Sequence, residues 1–140
     1  MKVKLINIIN GKVVATLALP KPEENSLEED SIECVGFCKT QPLIACATLS
    51  GQILVWDLNT HVLRNKLSYT AGFSKIIWSN KETLYASTLD GNVFSYDGRN
   101  LELIKKYSGH ESDILDFCLE NNYLFTASND NDVKIFEINH

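Results

Sequence analysis

The sequence predicts an all-β fold made of a repeated four-stranded unit, and three observations support this prediction. Short segments that end in an apolar residue followed by a polar one recur with spacings of 50, 40 and 40, at Ile6-Asn7, Trp56-Asp57, Tyr96-Asp97 and Phe136-Glu137. Between them, Val, Ile, Tyr and Phe alternate with polar residues at a period of two, which is typical of half-buried strands. Turn sequences rich in Gly, Asp and Asn separate the strands, at 49–51, 89–91 and 129–131.

Four strands can be placed in order within each unit. The first strand has the spacing apolar-x-x-apolar-x-apolar, as at Ile32, Val35 and Phe37, and this spacing recurs from Phe73 and from Ile114. The third strand is the segment that ends in the apolar–polar pair. The second and fourth strands are expected around residues 43–48, 83–88 and 123–128 and around residues 13–17, 63–67 and 103–107, respectively.

Two dipeptides connect this repeat to a known family. Four strands in about 40 residues, with Gly109-His110 before a first strand and Trp56-Asp57 ending a third strand, are the signature of the WD repeat. The chain therefore resembles the WD-repeat β-propeller family. Residues 30–58, STLDG at 87–91 and SGHESDILDF at 108–117 also resemble the C-terminal half of the angio-associated migratory cell protein group. That group includes a fungal chaperone of a basic large-subunit ribosomal protein, so the resemblance implies a role in ribosome assembly.

The strand order predicts one partial propeller. We expect a partial blade at 1–20, an acidic loop at 21–31, blades at 32–68 and 69–108, and a blade at 109–140 that lacks its fourth strand. These strands make about three and a quarter blades, whereas closed propellers have about four to eight. We therefore expect the chain to be part of a seven- or eight-bladed ring, completed by another copy or by a missing N-terminal part of the chain.

Polar residues at fixed positions predict a structural hydrogen-bond network. His110, Ser128 and Asp130 have the residue types of a catalytic triad, but the WD resemblance implies that the strand hydroxyl and the turn carboxylate hold the imidazole. A hydroxyl held in this way cannot attack a substrate. The other repeats depart from the pattern, since residues 70–72 contain no His and Ser50 replaces the turn Asp. The expected network residues are His110, Ser128, Asp130, Thr88, Asp90, Tyr96, Thr48 and Trp56.

No sequence motif indicates a catalytic, cofactor or metal site. The chain has no phosphate-binding loop, dinucleotide fingerprint, nucleophile elbow or H-E-x-x-H motif. Cys34 and Cys38 have a C-x3-C spacing with no His nearby, which does not favour zinc. Large aromatic residues are expected in the core rather than in a ligand cage. They are Trp56, Trp78, Phe37, Phe117 and Tyr96.

Composition excludes two partner classes and indicates a compartment. The net charge of -5 and the pI near 5.1 do not favour direct nucleic-acid binding. No apolar stretch approaches the roughly 18 residues of a membrane span. The four cysteines occur singly and no Asn-x-Ser/Thr sequon is present, so we expect a cytoplasmic or nuclear protein.

One acidic segment departs from the repeat. Between 21 and 31 lie the acids Glu23, Glu24, Glu28, Glu29 and Asp30. Such a segment is either a solvated loop or a contact for a basic partner. We expect a non-catalytic protein-binding scaffold whose protein partner carries a basic segment. The alternatives are a peptide-recognition adaptor and a structural subunit of a larger complex.

Overall fold

The computed structural model describes residues 1–21 and 30–138, and this part of the chain forms thirteen β-strands and no helix. The strands make four antiparallel sheets, in each of which neighbours in sequence are hydrogen-bonded neighbours. The all-β prediction is therefore confirmed. Within the same residues, no helix has the length and apolar character needed to cross a membrane.

The sheets follow one another along the chain and are numbered 1 to 4. Sheet 1 contains β1 (Lys2–Ile6) and β2 (Val13–Ala18). Sheet 2 contains β3 (Ile32–Phe37), β4 (Leu43–Thr48), β5 (Gln52–Asp57) and β6 (Leu63–Ser68). Sheet 3 contains β7 (Phe73–Trp78), β8 (Thr83–Thr88), β9 (Val93–Asp97) and β10 (Leu103–Tyr107). Sheet 4 contains β11 (Ile114–Glu120), β12 (Tyr123–Ser128) and β13 (Val133–Glu137).

A β-bulge near the start of the first strand explains the spacing of its apolar residues. The pairing register shifts between Ile32 and Cys34, and at the equivalent places in β7 and β11. One additional residue moves the alternation of side chains to the other face. Ile114 and Phe117, three residues apart, are therefore both buried on the same side of sheet 4.

The core lies between successive sheets, which pack face to face as propeller blades do. Small residues of sheet 2, including Ala45 and Ala47, pack with the large side chains of Phe73 and Trp78 in sheet 3. The Trp78 indole N–H donates a hydrogen bond of 3.0 Å to the Gly36 carbonyl of sheet 2. Similar apolar clusters lie between sheets 1 and 2 and between sheets 3 and 4. The chain is thus a partial β-propeller, as predicted.

Four of the five aromatic residues expected in the core are buried, but Phe37 is not. Trp56, Trp78, Tyr96 and Phe117 are buried, whereas Phe37 is 56% exposed. The expectation for Phe37 was wrong because it rested on the usual burial of large aromatic side chains and not on what lies beside this residue. In the described residues, sheet 1 has two strands, which pack on the β4 and β5 side of sheet 2 and leave the end of β3 uncovered.

Candidate partner-binding face

One end of the partial propeller, here called the loop face, is formed by two kinds of connection. The loops that lead into β3, β7 and β11 meet the turns that join β4 to β5, β8 to β9 and β12 to β13. The loops before β7 and β11 also pack closely on the turn of the preceding sheet. Gly91, with a φ of +87°, shows why this turn needs glycine, because a Cβ atom there would lie 2.5 Å from the His110 carbonyl oxygen.

In sheet 4 the loop and the turn are joined through the buried ring of His110. Its Nδ1 lies 2.8 Å from an Asp130 carboxylate oxygen, and its Nε2 lies 2.7 Å from the Thr126 hydroxyl oxygen. A neutral ring that donates through Nδ1 would accept the threonine proton at Nε2. Asp130 also accepts the backbone N–H groups of Glu111 and Asp132 at 3.0 and 2.9 Å. The imidazole is therefore held at both nitrogens.

The sequence pattern predicted that the Ser128 hydroxyl contacts His110. In the structure, the hydroxyl that contacts the ring belongs to Thr126. The Ser128 hydroxyl donates instead to the Ser112 carbonyl oxygen at 3.2 Å and accepts the Asp130 backbone N–H. Residues two apart on a strand point to the same side, so either hydroxyl satisfied the pattern. The His110 ring contacts the Thr126 hydroxyl, which lies farther from the turn than the Ser128 hydroxyl.

The environment of Asp130 favours its charged form. Burial opposes ionisation, but the N–H groups of Asp132 and Glu111 and the His110 ring outweigh it and lower the pKa of Asp130 to about 2. A folded-state pKa below the ordinary value means that the carboxylate contributes stability above about pH 4. That contribution is lost as the pH falls toward 2.

In sheet 3 a tyrosine takes the place of the histidine. The Tyr69 hydroxyl donates to an Asp90 carboxylate oxygen at 2.6 Å, and Asp90 also accepts hydrogen bonds from the Thr88 hydroxyl and the Asn92 amide. The network was predicted to use Tyr96, but that side chain is buried in the core between sheets 2 and 3. The signal for Tyr69 was present in the sequence, since it precedes β7 by four residues just as His110 precedes β11.

In sheet 2 the carboxylate lies in the loop and the hydroxyl in the turn, which is the reverse of sheet 3. Asp30, in the loop, accepts the Ser50 backbone N–H at 2.8 Å and also the Ser50 hydroxyl. Burial opposes ionisation of Asp30, but these Ser50 hydrogen bonds lower its pKa below the ordinary value. Thr48 accepts the Gln52 backbone N–H at 3.1 Å and supports the same turn. Trp56 serves this sheet as a buried core residue.

The described loops and turns of sheets 2 to 4 at the loop face carry acids, and one base, Lys21, lies at the start of the segment that leads into β3. Residues 30–31, 49–51, 69–72, 89–92, 108–113 and 129–132 contain no Lys or Arg. Their acids are Asp30, Asp90, Glu111, Asp113, Asp130 and Asp132. The opposite end carries both signs in its turns, with Lys12, Lys39, Lys81 and Arg99 beside Glu82 and Glu102. The described loops and turns of the loop face are therefore predominantly acidic, which favours cations.

The predicted acidic contact is only partly visible in the structure. Glu23, Glu24, Glu28 and Glu29 lie outside the described residues, in the segment that joins β2 to β3. Asp30 is described, and both of its carboxylate oxygens bind Ser50. This carboxylate therefore holds the turn. Glu111 and Asp132 are exposed, and their side chains were not singled out by the sequence pattern.

The cysteine thiols are free in the described structure. Cys38 and Cys46 are buried, Cys34 is half-buried and Cys118 is exposed. Burial is the largest influence on Cys46 and raises its pKa to about 12. A thiol with so high a pKa is not a nucleophile at neutral pH.

Comparison with known proteins places the chain among WD-repeat proteins. The family model described as "WD domain, G-beta repeat" matches residues 23–57 and 101–137, slightly more than half of the chain. The human angio-associated migratory cell protein is 33% identical over 145 residues, covering 95% of this chain and 33% of the human protein. The ribosome assembly protein SQT1 of Saccharomyces cerevisiae is 29% identical over 118 residues, covering 82% of this chain and 27% of that protein.

Solved structures show the same fold. The crystal structure of Saccharomyces cerevisiae Sqt1 superposes with a TM-score of 0.85 at 24% identity, covering 99% of this chain and 40% of that one. Chaetomium thermophilum Sqt1, bound to the N-terminus of the ribosomal protein L10, has a TM-score of 0.80 at 23% identity, covering 97% and 37%. The chain spans about a third of the length of the curated relatives it matches. The match to the family model shows that this chain belongs to the WD40 family of G-beta repeat proteins.

Proposed function

We propose that this chain is a non-catalytic protein-binding scaffold whose loop face binds a basic segment of a client protein. The observation that carries the proposal is the predominance of acids on the loop face described above. Glu111 and Asp132 are exposed there, and neither side chain is used to hold a turn. Exposed acids of this kind steer a cationic segment toward the surface and exclude anionic ones.

The absence of catalysis is part of the same proposal. Both ring nitrogens of His110 are engaged by Asp130 and Thr126, so the ring has no free nitrogen to act as a base. The Ser128 hydroxyl donates to a backbone carbonyl and points into the loop. These contacts support a structural role for the histidine, serine and aspartate at this end of sheet 4.

We further propose that the client is a basic ribosomal protein and that the chain acts in ribosome assembly, in the cytoplasm or nucleus. Two relatives support this proposal. One is named a ribosome assembly protein, and the other was crystallised with the N-terminus of ribosomal protein L10. The cysteines, all free in the described residues, suit a reducing compartment.

The proposal is tested by measuring association rates with a peptide from the N-terminus of ribosomal protein L10 and with a scrambled peptide of the same composition. Reversing two exposed acids of the loop face, in Glu111→Lys with Asp132→Lys, should slow association several-fold at low salt. The difference should shrink as salt rises, because screening limits exposed charges to about 8 to 10 Å. The matched control reverses two exposed acids at the opposite end, in Glu102→Lys with Glu120→Lys.

A second variant addresses the acidic segment itself. Changing Glu23, Glu24, Glu28 and Glu29 to Lys should also slow association, with little change in melting temperature. If the loop-face variants associate as fast as the control, the basic-client proposal fails. If both peptides bind equally, the loop face is a general cation-binding surface, and the ribosomal client is excluded.

A further inference from the structure

Two leucines are exposed in the turns of the loop face. Leu49 lies between β4 and β5 and is 47% exposed, and Leu89 lies at the same place between β8 and β9 and is 38% exposed. Neither belongs to an apolar cluster in the described part of the chain. Turns favour Gly, Asn, Asp and Ser, so leucine is unusual at both positions.

The structural contact of each turn is made by its backbone. Leu49 and Leu89 each donate their N–H, at 2.9 Å, to the carbonyl oxygen of the residue that precedes the first strand of the same sheet. Asn129 makes the equivalent bond in sheet 4, at 3.1 Å to Asp113. The same contact forms with asparagine at this position, so the fold does not require leucine for it.

Sheet 4 also shows a polar side chain engaged at this position. The Asn129 amide donates to both carboxylate oxygens of Asp113, each at 2.9 Å. The residues at the position of Asp113 are Ser31 in sheet 2 and Gly72 in sheet 3, and neither carries a carboxylate. The turns of sheets 2 and 3 therefore present apolar surface where sheet 4 has an internal polar contact.

The two leucines lie on either side of one glycine. Gly72 is buried, and a Cβ atom there would lie 2.3 Å from the Leu49 carbonyl oxygen and 2.9 Å from Leu89 Cδ1. Because Gly72 has no side chain, the turns of sheets 2 and 3 approach each other closely. Leu49 and Leu89 thus form one apolar surface, here called the leucine patch.

The leucine patch borders the acids of the loop before β11. Gly91, two residues after Leu89, packs on this loop, because a Cβ atom there would lie 2.5 Å from the His110 carbonyl oxygen. Glu111 is the next residue of the loop and is exposed. An apolar centre beside a charged rim is the arrangement found in protein–protein interfaces.

We propose that the leucine patch binds a large apolar side chain, aliphatic or aromatic, of the client's basic segment, an inference that rests on the proposed function. Charge complementarity identifies this occupant, because a cationic segment attracted to Glu111 passes beside Leu89. The client segment therefore carries an apolar residue close to its Lys or Arg residues. Exposed acids mainly raise the association rate, whereas the burial of apolar surface mainly slows dissociation.

Measuring both rate constants with the N-terminal peptide of ribosomal protein L10 tests the proposal. Leu49→Asn with Leu89→Asn should speed dissociation about tenfold and change the association rate by less than about twofold. Asparagine is the residue that sheet 4 has at this turn position, so the turns should be preserved. Leu49→Met with Leu89→Met keeps the apolar surface, and the peptide should dissociate from it as slowly as from the parent.

A matched control removes apolar surface elsewhere on the same sheets. Val62→Asn with Leu103→Asn changes two side chains, each 58% exposed, at the opposite end of sheets 2 and 3, and both rate constants should equal those of the parent. A second peptide has Ser in place of the apolar and aromatic residues of the L10 peptide and keeps every base. It should dissociate from the parent about tenfold faster than the L10 peptide and be insensitive to the leucine substitutions.

The two rate constants separate this inference from the function on which it rests. An association rate that is unchanged by Glu111→Lys with Asp132→Lys contradicts the basic-client proposal. A dissociation rate that is unchanged by Leu49→Asn with Leu89→Asn, or changed as much by the control, overturns the role of the leucine patch. A parent chain that binds neither peptide overturns both.

Discussion

Replacing His110 with Ala tests whether the loop–turn contact stabilises sheet 4. The side chain is 1% exposed and makes two hydrogen bonds, to Asp130 and Thr126. A buried hydrogen bond contributes about 0.5 to 1.5 kcal/mol, and an unsatisfied partner costs more. Asp130 keeps its backbone donors in the variant, which limits the loss. The expected decrease in the free energy of unfolding is therefore about 1 to 3 kcal/mol.

Urea denaturation of single and double variants identifies the hydroxyl partner. Thr126→Val removes the hydroxyl that faces the ring, and Ser128→Ala removes the one that faces the Ser112 carbonyl. A double-mutant cycle of His110→Ala with Thr126→Val should give a coupling energy of about 0.5 kcal/mol or more. The same cycle with Ser128→Ala should give a smaller one.

A control variant tests whether the loss of any imidazole destabilises the chain. His61→Asn removes an exposed imidazole and keeps a residue type that tolerates the φ of 59° at this position. Its effect should be within about 0.5 kcal/mol of zero. An unchanged stability in His110→Ala, or a larger coupling to Ser128 than to Thr126, would refute the structural interpretation of the network.

Two further substitutions test other contacts by thermal and urea denaturation. Tyr69→Phe should destabilise the chain by about 0.5 to 1.5 kcal/mol because it removes the hydroxyl that donates to the sheet 3 turn. Tyr96→Phe should cost less, and equal costs would contradict this assignment. Gly98→Ala should cost about 2 kcal/mol or more because its Cβ would lie 2.3 Å from a Trp78 ring carbon. Gly11→Ala, whose Cβ meets nothing within 4 Å, should cost only the strain of a positive φ, about 1 to 2 kcal/mol.

The repeat could be predicted from the sequence because strand periodicity and turn residues are local properties of the chain. The apolar–polar pairs, at spacings of 50, 40 and 40, placed all the third strands, and the structure finds them at β1, β5, β9 and β13. The three-residue spacing of Ile114 and Phe117 departs from the period of two, and the β-bulge between these residues in β11 explains it. These features depend on backbone geometry within a few residues of each position.

The burial of Phe37 and the hydrogen-bond partner of His110 could not be predicted from the sequence, because they depend on which residues lie beside them in space. Phe37 has the pattern of a core residue, but it lies at the end of β3 that the described strands of sheet 1 do not cover. Thr126 and Ser128 point to the same side of β12, so the pattern alone does not select the partner of His110. That choice depends on how far the preceding loop reaches over the sheet.

In each of sheets 2 to 4, a hydrogen bond to a carboxylate connects the loop before the first strand to the turn between the second and third strands. This carboxylate comes from the loop in Asp30 and from the turn in Asp90 and Asp130. Sheet 4 has a second such link, since the Asn129 amide of the turn donates to Asp113 of the loop. The partners of Asp30, Asp90 and Asp130 are a serine, a tyrosine and a histidine, so the link is preserved while its chemistry changes. Because these carboxylates are occupied by internal hydrogen bonds, we propose that a cationic partner is bound by acids such as Glu111 and Asp132, which hold no turn. Substitutions at those two positions should therefore change association without changing stability, and substitutions at the linking carboxylates should do the reverse.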